Sequence, residues 1–288
     1  MKNNILILVI VIALTSSCVD DILDTKPLDS LTPEQAFNSE ENLRMYINSL
    51  YELIATYPPA YYIYGHPYQN YLRSFQYLAS GNDVLFNGQF VEEYYVPGAY
   101  IPDDEPFWIW GDLRRINYFN DNYQNSEAPE DVKNHYAGIA RWFRAKFYYD
   151  KVKRFGDVPW YSRPLGSLSD ELYKARDPRT MVMDSVLADL NFAIEHIDSE
   201  KDITSTTITK WVALGLKSRI CLFEGTFRKY HPELGLAGTA NTWLQEAADA
   251  AKQVIESGQY SVYNTGNPEK DYHDLFISDE VVSTEVML

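Results

Sequence analysis

Apolar side chains recur at helical spacing along most of the chain, and the pattern predicts six helices. Thr32-Pro33-Glu34-Gln35 reads as a capping box with proline at the first helical position. It opens a helical region over 32–56, with Leu43, Tyr46, Ile47, Leu50 and Ile54 on one stripe. A second helix is predicted over 106–123, through Trp110, Leu113, Asn117 and Phe119. The third covers 130–155, carries Tyr136, Ile139, Ala140, Phe143, Phe147 and Val152, and stops at Gly156. The fourth spans 180–197, with Val182, Val186, Leu190, Ala193 and Ile197 aligned. The fifth covers 210–227, and the sixth covers 242–257 with Gly258 just past its end. Strand signals are confined to 260–263 and 281–288. The class is mainly α.

Two of these helices suggest a repeat. Trp211-Val212-Ala213-Leu214-Gly215 matches the W-x-x-L-G opening of a tetratricopeptide first helix, where the glycine lets a partner approach closely. Ala247, Ala248 and Ala251 supply a small face for that partner, and Gly138 and Ala145 face Leu190 and Ala193 in the same way. The connections 157–179 and 228–241 are far longer than an ordinary tetratricopeptide turn. The expectation is divergent tetratricopeptide-like helical repeats with long inserted loops. An ordinary helical bundle would show the same stripes and stays open at this point.

The first residues look like an address. Lys2 precedes an unbroken apolar run from Ile5 to Leu14, then Thr15, Ser16 and Ser17 lead to Cys18. Ten helical residues reach about 15 Å, roughly half the ~30 Å hydrocarbon core, so the run is a signal-peptide core and not a spanning helix. Residues 1–17 are read as signal peptide and 18–288 as the mature helical domain. Cys18 is then the lipidation site, and several acyl chains there would anchor the protein to a membrane.

Net charge, at −16, repels phosphate backbones, and no Lys/Arg run makes a local exception, so nucleic acid is not a partner. After Cys18 only Cys221 remains, so no intramolecular disulfide can form in the mature chain. Cys221 lies between Ile220 and Leu222 and reads as a small core residue. Asp198, Glu200 and Asp202 lack the glycine and terminal glutamate of an EF-hand loop, and no metal is assigned.

Candidate chemistry lies in two loops. Tyr57, Tyr61, Tyr62, Tyr64, Tyr68, Tyr71 and Tyr77 crowd a stretch broken by Pro58, Pro59, Gly65 and Pro67. The second loop, 81–104, holds Asn82, Asp83, Asn87, Gln89, Tyr94, Tyr95 and Tyr100. Aromatic faces beside amides and carboxylates suit a sugar, whose CH faces stack on rings while its hydroxyls take fixed hydrogen-bond partners. Any single ring would serve equally well packed on the helices. Catalysis is not indicated: no G-x-S-x-G, H-E-x-x-H, P-loop or G-x-G-x-x-G occurs, and the five histidines are scattered. A glycosidase needs only two carboxylates, and Asp83 with Asp103, Asp104 or Glu105 is the pair to suspect; exposed acids are far more often a solvated face. No cofactor is expected.

Ala140 to Pro159, ARWFRAKFYYDKVKRFGDVP, resembles the signature helix and loop of the SusD/RagB-like family of nutrient-binding outer-membrane lipoproteins. Arg176-Asp177-Pro178 before a helix ending Asp189-Leu190-Asn191-Phe192-Ala193 is similar to the next block of that family. Ile208-Thr209-Lys210 with 216–220 and Gly225, and then 248–263, are similar to those that follow. With the lipoprotein start and 110–117, these blocks run in family order along nearly the whole chain. The family pattern continues past Leu288, so the resemblance covers its N-terminal part. It implies a tetratricopeptide-like scaffold that binds oligosaccharide or polysaccharide and is not an enzyme. It also implies lipid anchoring in the outer membrane, facing the exterior, and delivery to a SusC-like TonB-dependent transporter. By family position Tyr94, Tyr95 and Tyr100, with Asn87 and Asp83, are the expected ligand contacts. A tetratricopeptide-type scaffold binding a protein or peptide is the alternative.

Overall fold

Where several of the helices begin follows from a few polar side chains and prolines. The computed structural model describes residues 36–55 and 108–288. Helix α1, Glu40–Leu50, starts at Ser39, whose hydroxyl accepts the Asn42 N–H at 3.3 Å, with Glu40 and Glu41 in its first turn. The predicted region 32–56 therefore holds a break at Ser39, and the Thr32 capping box lies outside the described residues. A short α2, Glu52–Ala55, follows the bend at Tyr51. Helix α3 runs Gly111–Asn122, and α4 runs Glu130–Phe155 with the bounds the pattern predicted. Gly156 ends α4 at φ +70°, a conformation that glycine adopts without strain. Pro178 precedes α5, Arg179–His196. Thr209 caps α6, Lys210–Tyr230, by accepting the Val212 N–H. Helix α7, Ala240–Glu256, is followed by Gly258 at φ +66°.

The helices pack as successive antiparallel pairs. Gly138 of α4 lies against Ala193 and Ile197 at the end of α5, while Arg144 further along α4 meets Asp189 one turn earlier on α5. In the second pair, Gly225 near the end of α6 touches Leu244 near the start of α7, and Ser218 donates to the Ala247 carbonyl at 3.0 Å. Buried Phe143, Tyr148 and Val152 of α4 join Val182, Val186 and Leu190 of α5 in the core, which Leu43 and Ile47 of α1 and Ile116 and Phe119 of α3 extend. The class is helical, with tetratricopeptide-like pairing and long loops between elements.

Three expectations need correction. Residues 260–263 and 281–288 form no strand; Val158 and Asp177 make the one isolated bridge among the described residues. The Ser261 N–H does reach the Thr284 carbonyl at 2.9 Å. The ladder ends there because the Tyr263 N–H turns to the Glu285 carboxylate and the N–H groups of Glu285 and Val286 fold back onto Val282. A helix absent from the sequence reading, α8, occupies Pro268–Ile277, with proline in its first turn after Asn267. Third, Gly215 does not sit in the α6/α7 contact. A Cβ placed there would meet only the Met287 side chain at 3.6 Å, whereas one at Gly225 would lie 2.8 Å from two Leu244 side-chain carbons and 3.0 Å from its backbone nitrogen. On α7 the small residues buried are Ala240, Ala247 and Ala250, and Ala248 is exposed.

That difference yields an expected pair of outcomes. Gly225→Ala should destabilise by about 1–3 kcal/mol, because the Leu244 backbone cannot yield without moving α7. Gly215→Ala should be neutral or stabilising by up to about 1 kcal/mol, the ordinary helix gain of alanine over glycine. Urea unfolding midpoints of the two variants check it; equal midpoints would contradict the assignment of the close contact.

Candidate functional site

The loop singled out for binding joins the described structure at a nest of rings. Asp83, Asn87, Tyr94, Tyr95 and Tyr100 lie outside the described residues, as do Cys18 and the tyrosines of 57–77. The described structure resumes at Trp108, four residues past the 81–104 loop, in a stem of packed rings. Trp108 stands edge-on to Trp110, centroids 5.0 Å apart, and to Phe155 at 4.9 Å, with the Arg176 guanidinium 5.1 Å from its ring centre. Trp110 in turn meets Phe147, Tyr148 and Tyr161. Trp108 and Trp110 are only partly buried.

Helix α4 and the turn after it hold these rings in place. The Tyr148 hydroxyl accepts the Tyr161 N–H at 2.6 Å, and its ring lies 4.2 Å from that of Trp160. Burial pushes the Tyr148 phenol well above its ordinary pKa, despite that hydrogen bond. Asp177 accepts the Trp160 N–H at 2.7 Å, and Lys174 donates to the Trp160 carbonyl at 2.7 Å. Arg144 lies beneath, donating two 2.7 Å bonds to Asp189 and one each to the Asn117 side chain and the Ser162 carbonyl. Asn117 itself donates to the Tyr161 carbonyl at 2.8 Å. The signature stretch 140–159 thus supplies much of the packing around Trp108 and Trp110.

The loop 198–209 is fixed with comparable care. Asp202 accepts the N–H groups of Thr204, Thr206 and Thr207, each at 2.8 Å, and the hydroxyls of Thr204 and Thr207 at 2.6 and 2.8 Å. Partial burial pulls its pKa up, but the bonds from Thr204, Thr207 and Thr206 outweigh this and hold the carboxyl well below the usual range. Its carboxylate is thus occupied by threonine donors and not shared with Asp198 and Glu200. Among the described residues no three of His, Cys, Asp and Glu gather where a metal ion could sit. No described helix is long and apolar enough to cross a membrane.

Comparison with known proteins agrees on one class. No protein-family model matches the chain. A SusD-like protein of Formosa agariphila is 24% identical over 283 residues, covering 96% of this chain and 49% of the relative. A second from that organism is 25% identical over 235 residues, 77% of this chain and 43% of its own. A solved SusD-like protein of Bacteroides fragilis superposes with TM-score 0.56 at 21% identity, over 87% of this chain and 44% of that one. A SusD-like carbohydrate binding protein of Bacteroides vulgatus gives TM-score 0.54 at 19% identity, over 78% and 46%. A laminarin binding SusD-like protein gives 0.53 at 17%, over 80% and 50%. The helical scaffold is therefore that of a tetratricopeptide-like repeat protein. The chain is similar in sequence and in fold to SusD-like proteins, as the resemblance to the SusD/RagB-like family implied. It spans about half the length of the curated relatives it matches, 49% and 43%.

Asp202 generates a pH prediction. A carboxyl whose folded-state pKa lies below its unfolded value near 3.9 stabilises the fold above that pH and loses the contribution as pH falls further. Asp202→Asn should therefore lower the urea midpoint at pH 7 more than at pH 3. A midpoint loss that is the same at both would show that the Asp202 charge has no part in holding the loop.

Proposed function

We propose that this chain is the N-terminal part of a cell-surface glycan-binding lipoprotein, one that captures oligosaccharide or polysaccharide without cleaving it. The observation that supports this reading is the tyrosine-rich segment 81–104, which in sequence directly precedes the packed Trp108–Trp110 stem of a SusD-like scaffold. Solved proteins of this fold include ones described as carbohydrate binding and laminarin binding. In the proposed site Tyr94, Tyr95 and Tyr100 stack on sugar rings while Asn87 and Asp83 take hydroxyls. The stem contributes rigidity: edge-to-face rings and the Arg144 clamp leave little freedom at its base. Cys18 carries the lipid, the protein faces outward from the outer membrane, and the captured glycan passes to a SusC-like TonB-dependent transporter.

Calorimetric titration of an oligosaccharide panel against Tyr94→Ala, Tyr95→Ala and Tyr100→Ala tests the site. A stacked ring contributes ~1–2 kcal/mol at about 25 cal/mol per Å², so each variant should bind roughly five- to thirtyfold more weakly with unchanged melting. Asp83→Asn and Asp104→Asn should change affinity far less, and no cleavage product should form. Unchanged affinity in all three tyrosine variants would remove the loop from the site. Separately, Cys18→Ala should abolish fatty-acid labelling in cells; a variant that still labels refutes lipidation there.

A further inference from the structure

A second concave surface lies away from the aromatic stem, and nothing above assigns it. Helix α1, the first turns of α4 and the loop 198–209 enclose a cleft of about 430 Å³. That volume falls within the usual range for small-ligand sites, roughly 300–1,000 Å³. Its floor is aliphatic: Ile47, Ile139, Ile197 and Ile208 are each no more than 4% exposed. Ile203 on the rim is 74% exposed, an apolar side chain held in water.

The polar groups on this floor have capacity to spare. The Tyr51 hydroxyl accepts the Ile208 N–H at 2.8 Å, and among the described residues nothing accepts its own hydrogen. Burial pushes that phenol up to about 12, so the hydrogen stays on and is available to donate. His135 Nδ1 accepts the Asp198 N–H at 3.2 Å, which in the neutral ring leaves the proton on Nε2. Burial lowers the His135 pKa against the pull of Asp198, which favours that neutral ring. Among the described residues Nε2 likewise has no hydrogen-bond partner. The exposed Asn48 amide and Asp198 carboxylate complete a mixed set of donors and acceptors.

Charge and rigidity narrow the ligand. Arg44 is paired with Glu41, Asp202 is saturated by threonines, and Lys201 donates to the Gln259 carbonyl at 2.6 Å. Among the described residues of the cleft no cationic group is left over to select an anion, and the exposed Asp198 and Glu200 carboxylates on the rim are acceptors for hydroxyls. Thr209 alone caps α6, yet the loop carries further ties: Trp211 Nε1 to the Ser199 carbonyl and the Lys210 N–H to that of Asp198. Such a loop holds its shape before any ligand arrives, which lowers the entropy cost of binding. Resting on the glycan-binding reading, the geometry points to this cleft as a second, independent carbohydrate subsite. It takes one neutral sugar residue, its CH face on the isoleucines and its hydroxyls on Tyr51, His135 and Asn48.

Saturation-transfer NMR on the full chain with glucose, galactose, mannose and N-acetylglucosamine as probes tests it. Asn48→Trp fills the cleft from an exposed position, and Tyr51→Phe removes one donor, together with the acceptor of the Ile208 N–H, while keeping the ring. The expected result is a monosaccharide signal that survives the combined Tyr94→Ala, Tyr95→Ala, Tyr100→Ala variant, vanishes in Asn48→Trp and weakens about five- to tenfold in Tyr51→Phe. A wild-type signal that persists unchanged in both cleft variants overturns the subsite, whatever the loop variants do. No monosaccharide signal, with oligosaccharides still bound through the loop, overturns the subsite and leaves the glycan reading intact. Absence of binding by every sugar overturns both.

Discussion

The buried Arg144–Asp189 pair is the interaction on which the rest of the structure depends. Both side chains are almost wholly withdrawn from water, at 9% and 5% exposure. Bringing two ions inside costs several kcal/mol each, and their attraction offsets this only when every remaining donor is satisfied. Here the guanidinium makes two bonds to Asp189, one to Asn117 and one to the Ser162 carbonyl. Four separate segments are therefore fixed by one side chain: α3, α4, α5 and the loop that carries Trp160 and Tyr161. A hydrophobic replacement could fill the same volume, but it could not dictate which turn of α5 faces which turn of α4.

The same device recurs one helix further along. Arg179 at the start of α5 donates two bonds to Glu224 of α6 at 2.7 and 3.0 Å, and Arg228 donates to the other Glu224 oxygen at 2.8 Å. Arg228 reaches on to the Thr239 hydroxyl, just before α7. Polar clamps thus run from α3 to the threshold of α7, while small residues set the distance within each pair: Gly138 for α4/α5 and Gly225 for α6/α7. Clamps fix register and glycines fix spacing. That division lets the loops between pairs grow long without loosening the scaffold.

Much of this was legible from side-chain spacing alone, and the failures have identifiable causes. Helix α4 follows its pattern from Glu130 to Phe155 because Pro129 and Gly156 bracket an uninterrupted stripe. Helix α8 went unread because Tyr272 and Phe276 form an exposed i, i+4 pair with no buried stripe beneath it; the Asn267-Pro268 start was the available signal. Gly215 misled because a motif identifies a glycine in a helix but not the face on which its partner lies. For the candidate site, spacing marked the aromatic loop but could not foresee that Trp108 and Trp110 just after it pack into a nest of rings, because edge-to-face contacts join residues about 50 positions apart, as with Trp110 and Tyr161. The cleft is invisible in sequence for the same reason: Tyr51 and Ile208 touch across 157 residues.

The placement of charge bears on which ligands suit such a scaffold. The chain has 25 basic and 41 acidic residues, yet three of its arginines, at 144, 179 and 228, are buried against only two carboxylates, those of Asp189 and Glu224. The interior clamps therefore consume more positive than negative charge, and among the described residues burial adds to the acidic excess of the surface. An acidic surface rejects polyanions through their own field and offers a neutral polymer neither attraction nor repulsion at long range. Selection then falls to short-range contacts, CH faces against rings or isoleucines and hydroxyls against fixed donors. Such contacts need a surface already in shape before the ligand arrives, which is what buried ion pairs, saturated carboxylates and close glycines supply.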